Sequence, residues 1–122
     1  MRKLLSISGL LVALVLTMNE ASMIAGIVFS EANTESELGK RLVIDCILNR
    51  VDDSEFPDTV AGVLTQPGQF ARGGNILDDD VNLVLQEAGR RTNADVLWFR
   101  RGRYHSFGDP IVKEGRHYFS GR

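Results

Sequence analysis

With one cysteine, two histidines, three prolines and one tryptophan in 122 residues, several kinds of protein are excluded. No disulfide can close within a chain that carries Cys46 alone. Its place in an apolar helical pattern reads as a small buried hydrophobe rather than a nucleophile. His105 and His117 fit no zinc-ligand spacing, and nothing in the pattern calls for another metal or a cofactor. Charge of one sign is also lacking, since the net charge is only −2. Arg100, Arg101 and Arg103 form a small solvated cluster, without the broad basic face that nucleic acid requires. Repeats and low-complexity stretches are absent. The length suits one domain with one core.

At the N-terminus lies a charge-free apolar run, residues 4–16, preceded by Arg2 and Lys3. A positive start and an apolar stretch of this length make an export signal, too short to span a bilayer comfortably. No A-x-A-like cleavage triplet follows, and Ala21-Ser22 is the nearest small pair. Residues 1–22 are therefore expected to be a cleaved signal peptide or an uncleaved signal anchor, with a single domain over residues 23–122. The expected location is outside the cytoplasm, with transient membrane contact through the N-terminal segment. A buried core helix is the bland reading of the same run.

Past that run, Thr17 and Glu20 have capping-box spacing, which marks a helix start. Ile24, Ile27, Val28 and Glu31 then follow at i, i+3, i+4 and i+7, the face a helix turns to the core. A carboxylate at the end of such a stripe, just before a break at Asn33, should be partly desolvated and its pKa raised. A carboxyl protonated near neutral pH is what a general acid needs. The plainer alternative is a boundary glutamate that caps a neighbouring group. Thr34 and Glu37 make a second capping-box pair, opening a helix to about Val51. Val43, Ile44, Ile47, Leu48 and Val51 supply its buried stripe, while Arg41, Asp45 and Asn49 recur along another face. A short helix over 59–64, a turn over 66–70 and a flexible loop over 72–75 come next. Asp78, Asp79 and Asp80 precede a helix expected over 81–91. Residues 96–100 and 113–120 are rich in β-formers and read as a terminal strand pair, giving an α+β domain.

The stretch SEANTESELGKRLVIDCILNRV, residues 30–51, resembles the cell wall hydrolase family typified by SleB-like spore cortex-lytic enzymes. Glu31, Ala32, Glu35, Gly39 and the run ILNRV at 47–51 match that family's pattern without a gap. FPDTV at 56–60, QPGQF at 66–70 and GRHYF at 115–119 resemble its later blocks. The resemblance implies a small lysozyme-like, lytic transglycosylase-like helical domain with a short terminal β-sheet. It also implies cleavage of peptidoglycan glycan strands, with Glu31 as the catalytic acid. Thr34 stands where the family carries glycine, which takes positive φ more readily, and Lys40 replaces a glutamine. The loop after Glu31, and with it Glu35, is therefore expected to depart from the family's path.

Glycosidic cleavage needs a proton on the leaving oxygen and a partner for the developing oxocarbenium ion. A lytic transglycosylase uses the substrate's own 6-hydroxyl, so one glutamate serves as acid and then base. A muramidase-type hydrolase needs a second carboxylate, for which Glu35, Asp45, Asp52 and Asp58 are the candidates. A peptidoglycan-binding module without activity is the alternative from another class. The candidates for holding substrate are Asn49, Gln69, Phe70, Tyr104, His117 and Glu35. For Asn49 the competing role is bonding a loop backbone, and for Phe70 it is core packing.

Overall fold

The structure, a computed structural model, describes residues 5–7, 10–12 and 15–122. The export reading of residues 2–16 falls in part on residues outside this set, namely 2–4, 8, 9, 13 and 14. Within it, β1 (Leu5–Ile7) pairs antiparallel with β2 (Leu10–Val12). Helix α1 (Met18–Ala32) opens with the expected capping box. Glu20 N–H donates to Thr17 Oγ1 at 3.1 Å, and Thr17 N–H donates to Glu20 Oε1 at 2.9 Å. Each cap satisfies a backbone donor that the first helical turn leaves open. Five residues of α1 thus precede position 23, and Ala21 among them is fully buried.

Helix α2 (Glu37–Asp52) starts from Ser36, whose Oγ accepts from Gly39 N–H at 3.0 Å. The expected cap at Thr34 is corrected by two residues. The Thr34 hydroxyl is instead held by Arg116 Nη2 at 2.6 Å, from a strand turn far along the chain. Helix α3 (Val60–Leu64) is capped by Thr59. Helix α4 (Asp78–Gly89) begins three residues earlier than expected, so Asp78, Asp79 and Asp80 form its first turn. Their charge suits the positive end of its dipole.

The expected strand pair is a three-stranded antiparallel sheet of β3 (Trp98–Arg101), β4 (Asp109–Glu114) and β5 (His117–Gly121), in the order β3-β5-β4. The segment expected as one strand over 113–120 is split by a turn. Gly115 takes φ +59° there, and a Cβ at that position would strike Glu35 Oε1. Only glycine combines that backbone with that approach.

The helices supply most of the core. Ile24, Val28, Val43, Ile44, Ile47, Leu48 and Val51 are completely buried, and Phe119 and Val96 reach in from the sheet side. Phe119, wholly excluded from water, alone contributes about 1.5–3 kcal/mol of burial. Cys46 lies in this core with its thiol pushed up to about 12, chiefly by burial, and is chemically inert as expected. No described helix is long and apolar enough to cross a membrane.

Candidate active site

Glu31 sits one turn beyond the buried Ile24, Ile27 and Val28, where the core-facing stripe of α1 reaches the surface. It is half-buried. Its Oε2 accepts a hydrogen bond from the Ala71 N–H at 2.7 Å, and its Oε1 has no hydrogen-bond partner among the described residues. One oxygen is therefore anchored by backbone while the other is free for chemistry.

The Ala71 amide belongs to a loop laid over the C-terminal half of α1. Gly74 N–H donates to the Gly26 carbonyl at 2.8 Å, and Ser30 Oγ donates to the Arg72 carbonyl. Two glycines permit this approach. A Cβ on Gly26 would lie 3.2 Å from Gly74 O, and one on Gly74 would lie 2.7 Å from Phe29 Cδ1. Residues 71–79 are all exposed, so hydrogen bonds rather than burial hold the loop in place.

Four residues after Glu31 stands a second carboxylate of a different kind. The Glu35 side chain is 4% exposed and takes the Arg116 N–H at 2.9 Å and Arg116 Nε at 3.2 Å. The backbone hydrogen bond from Arg116 is the main reason its carboxyl lies below the usual range, with burial opposing it. Glu35 thus fastens the α1–α2 turn to the β4–β5 turn. His117 Nδ1 stands 3.7 Å from Glu35 Oε1, and its ring packs edge-on against Phe99 at 5.0 Å between centroids. Burial holds His117 below the usual imidazole range, with Glu35 and Glu31 pulling the other way. Glu35 and His117 were expected to touch sugar. Their side chains are 4% and 1% exposed, and Glu35 also lines a cavity of about 390 Å³ with Lys40, Arg41 and Asp80.

The remaining candidates separate. Asn49 Nδ2 donates to the carbonyls of Asn93 and Val96 at 3.0 and 2.9 Å. That is its backbone-bonding role; the amide hydrogens do not orient Glu31. Asn49 also lines a cavity of about 550 Å³ with Asp52, Arg91, Asp95, Asp109 and Arg122, and Glu31 takes no part in that lining. Gln69 Oε1 accepts from Arg50 Nη1 at 3.0 Å, and the half-buried Phe70 packs on the core. Tyr104 meets Tyr118 edge-on at 5.0 Å, next to β5. Of the proposed second carboxylates, Asp45 is wholly buried and Asp52 pairs with Arg91 at 2.8 Å. Asp58 is exposed in the loop before α3.

Arg50 escaped the sequence reading. It is 3% exposed and hydrogen-bonds to the QPGQF loop. A cation three residues after Ile47, on a stripe otherwise apolar, is the signal that could have singled it out.

An α+β domain with an accessible anchored carboxylate has the form of a hydrolase domain, and the comparisons give it a family. The chain belongs to the Cell Wall Hydrolase family, whose model matches residues 34–119. That span begins three residues after Glu31. The spore cortex-lytic enzyme of Bacillus cereus is 32% identical over 79 residues, covering 65% of this chain and 29% of that protein. The one from Oceanobacillus iheyensis is 39% identical over the same length, covering 65% of this chain and 28% of its own. The chain thus spans less than a third of these relatives. Among solved structures, the catalytic domain of Bacillus cereus SleB superposes with a TM-score of 0.74 at 26% identity, covering 85% of this chain and 91% of that one. The catalytic domain of the germination-specific lytic transglycosylase SleB from Bacillus anthracis gives 0.72 at 27% identity, covering 86% and 96%.

Proposed function

We propose that this domain cleaves the glycan strand of peptidoglycan as a lytic transglycosylase, with Glu31 as its acid and base. The observation that carries the reading is the Glu31 carboxylate itself, half-buried, anchored through Oε2 and open at Oε1. In the first step the Glu31 carboxyl gives its proton to the glycosidic oxygen, and the bond from that oxygen to the muramoyl C1 breaks. The developing positive charge at C1 faces the carboxylate left behind. In the second step the 6-hydroxyl of the same sugar attacks C1, and its proton returns to Glu31. No water is consumed, and the product ends in a 1,6-anhydro ring.

Two observations support one carboxylate over two. Glu35, the nearest acid in sequence, is enclosed and engaged by Arg116. The similar Bacillus anthracis domain is itself described as a lytic transglycosylase. The spore cortex-lytic relatives support peptidoglycan as substrate, and a place of action outside the cytoplasm follows from that substrate. Export through residues 2–16 belongs to the same proposal.

The test is mass spectrometry of muropeptides released from purified sacculi in ¹⁸O-labelled water. Anhydro ends, one water lighter than hydrolytic ends and free of label, are the expected outcome. Labelled reducing ends would replace the transglycosylase with a two-carboxylate hydrolase.

A further inference from the structure

A buried arginine usually closes an ion pair, and Arg50 does not. Its side chain is almost fully enclosed, yet no carboxylate pairs with it among the described residues. Its hydrogen bonds go elsewhere. Nε donates to the Leu97 carbonyl at 2.7 Å, and Nη1 donates to Gln66 Oε1 at 3.3 Å and Gln69 Oε1 at 3.0 Å. The guanidinium carbon also lies 4.9 Å from the centre of the Phe56 ring and 5.0 Å from that of Phe70. A cation over an aromatic face is attracted by the ring, the more so when desolvated. Three of these partners, Gln66, Gln69 and Phe70, belong to the segment that ends one residue before Ala71.

We propose that Arg50 is a positioning residue for Glu31, acting through the 66–71 loop. The inference rests on the reading of Glu31 as the acid. The loop is held at two places: downstream by Gly74 on Gly26 and Arg72 on Ser30, upstream by Arg50. Ala71 lies between them, so the place of its N–H depends on both. That N–H sets which Glu31 oxygen faces substrate. A lysine cannot replace Arg50 here. It lacks a planar fork able to reach a carbonyl and two side-chain amides while lying against aromatic faces.

The experiment compares Arg50→Lys, Ala71→Pro and the double variant in the full chain, with purified sacculi as substrate. Proline at 71 removes the donor and leaves Arg50 in place. Each single variant should lower kcat by about 10²-fold with KM little changed, the size of effect that slight misplacement produces. The double variant should lose no more than the worse single, because both act on one hydrogen bond. A raised KM with kcat unchanged in Arg50→Lys, or losses that multiply, would overturn the inference. Should Arg50→Lys not fold, Gln69→Ala takes its place, since Gln69 is exposed and its truncation spares the core. It should lower kcat with KM little changed, and an unchanged kcat counts against the inference equally. Full activity in Glu31→Gln would instead refute the reading beneath it, whatever Arg50 does.

Discussion

Two carboxylate sites in this molecule invite comparison, Glu31 at the end of α1 and the Asp45–Glu87 pair between α2 and α4. Glu31 is half-buried with one protein hydrogen bond. Asp45 and Glu87 are 0% and 2% exposed and sit in a dense network. Asn93 N–H donates to Asp45 Oδ2 at 2.8 Å, while Thr92 N–H and Arg41 Nη1 donate to Glu87 at 2.8 and 2.7 Å. Burial first, and then the bond to Glu87, push Asp45 up to about 8. Burial also opposes ionisation of Glu87, but the bonds from Asp45, Thr92 and Arg41 outweigh it and hold that carboxyl below its usual range. Asp45 is thus the member of the pair that favours the proton, and Glu87 the one that favours ionisation. Strong perturbation marks this enclosed structural pair, whereas the candidate catalytic carboxylate is marked by access and orientation.

The largest expected effect breaks one side of the comparison alone. Glu31→Gln retains an acceptor for Ala71 N–H but has no proton to donate. Its activity on sacculi should fall by roughly 10²–10⁴, the usual contribution of general acid catalysis, while its melting temperature stays near that of the parent. Muropeptide release and thermal melting measured on one preparation check both halves.

A smaller effect concerns the other side. The folded pKa of Asp45, about 8, lies above its unfolded value near 3.8, so the native state binds the extra proton between them. Stability from this group is fully present at the acid end of that window and declines as pH rises through about 8. The slope is at most about 1.4 kcal/mol per pH unit for one proton. Urea unfolding across this range should show the decline, and Asp45→Asn should flatten it. A parent protein whose stability rises with pH there would contradict the assigned proton.

The smallest effect concerns the start of α1. Removal of residues 1–16 leaves the Thr17–Glu20 capping box, whereas removal of residues 1–22 takes the cap and the buried Ala21 with it. The longer deletion should be less stable by at least about 1 kcal/mol, the typical worth of an N-cap. Equal unfolding midpoints would show that the domain does not need its first helical turn.

Several features were legible because they are local. The cap at Thr17 needs a partner three residues away, and the stripe ending in Glu31 needs only helical spacing. The helical core residues from Ile24 to Val51 follow the same rule. Other features were illegible for the opposite reason. The capping-box spacing at Thr34 pointed to the wrong residue, because Ser36 caps α2 while Arg116, from the far end of the chain, holds Thr34. Arg41, Asp45 and Asn49 look like a solvated stripe. Their partners at Glu87, Asn93 and Val96 lie more than forty residues on, so that face is buried.

By itself the sequence determined the α+β class, the α1 cap, the apolar helix faces and the identity of the candidate acid. These depend on spacing within a few turns, where backbone geometry fixes which side chains share a face. Only the tertiary structure decided which carboxylates are enclosed, where Arg50 reaches, and that Ala71 holds Glu31. Each of these brings together groups distant in sequence, and their burial and hydrogen bonds exist only after the chain has closed around them.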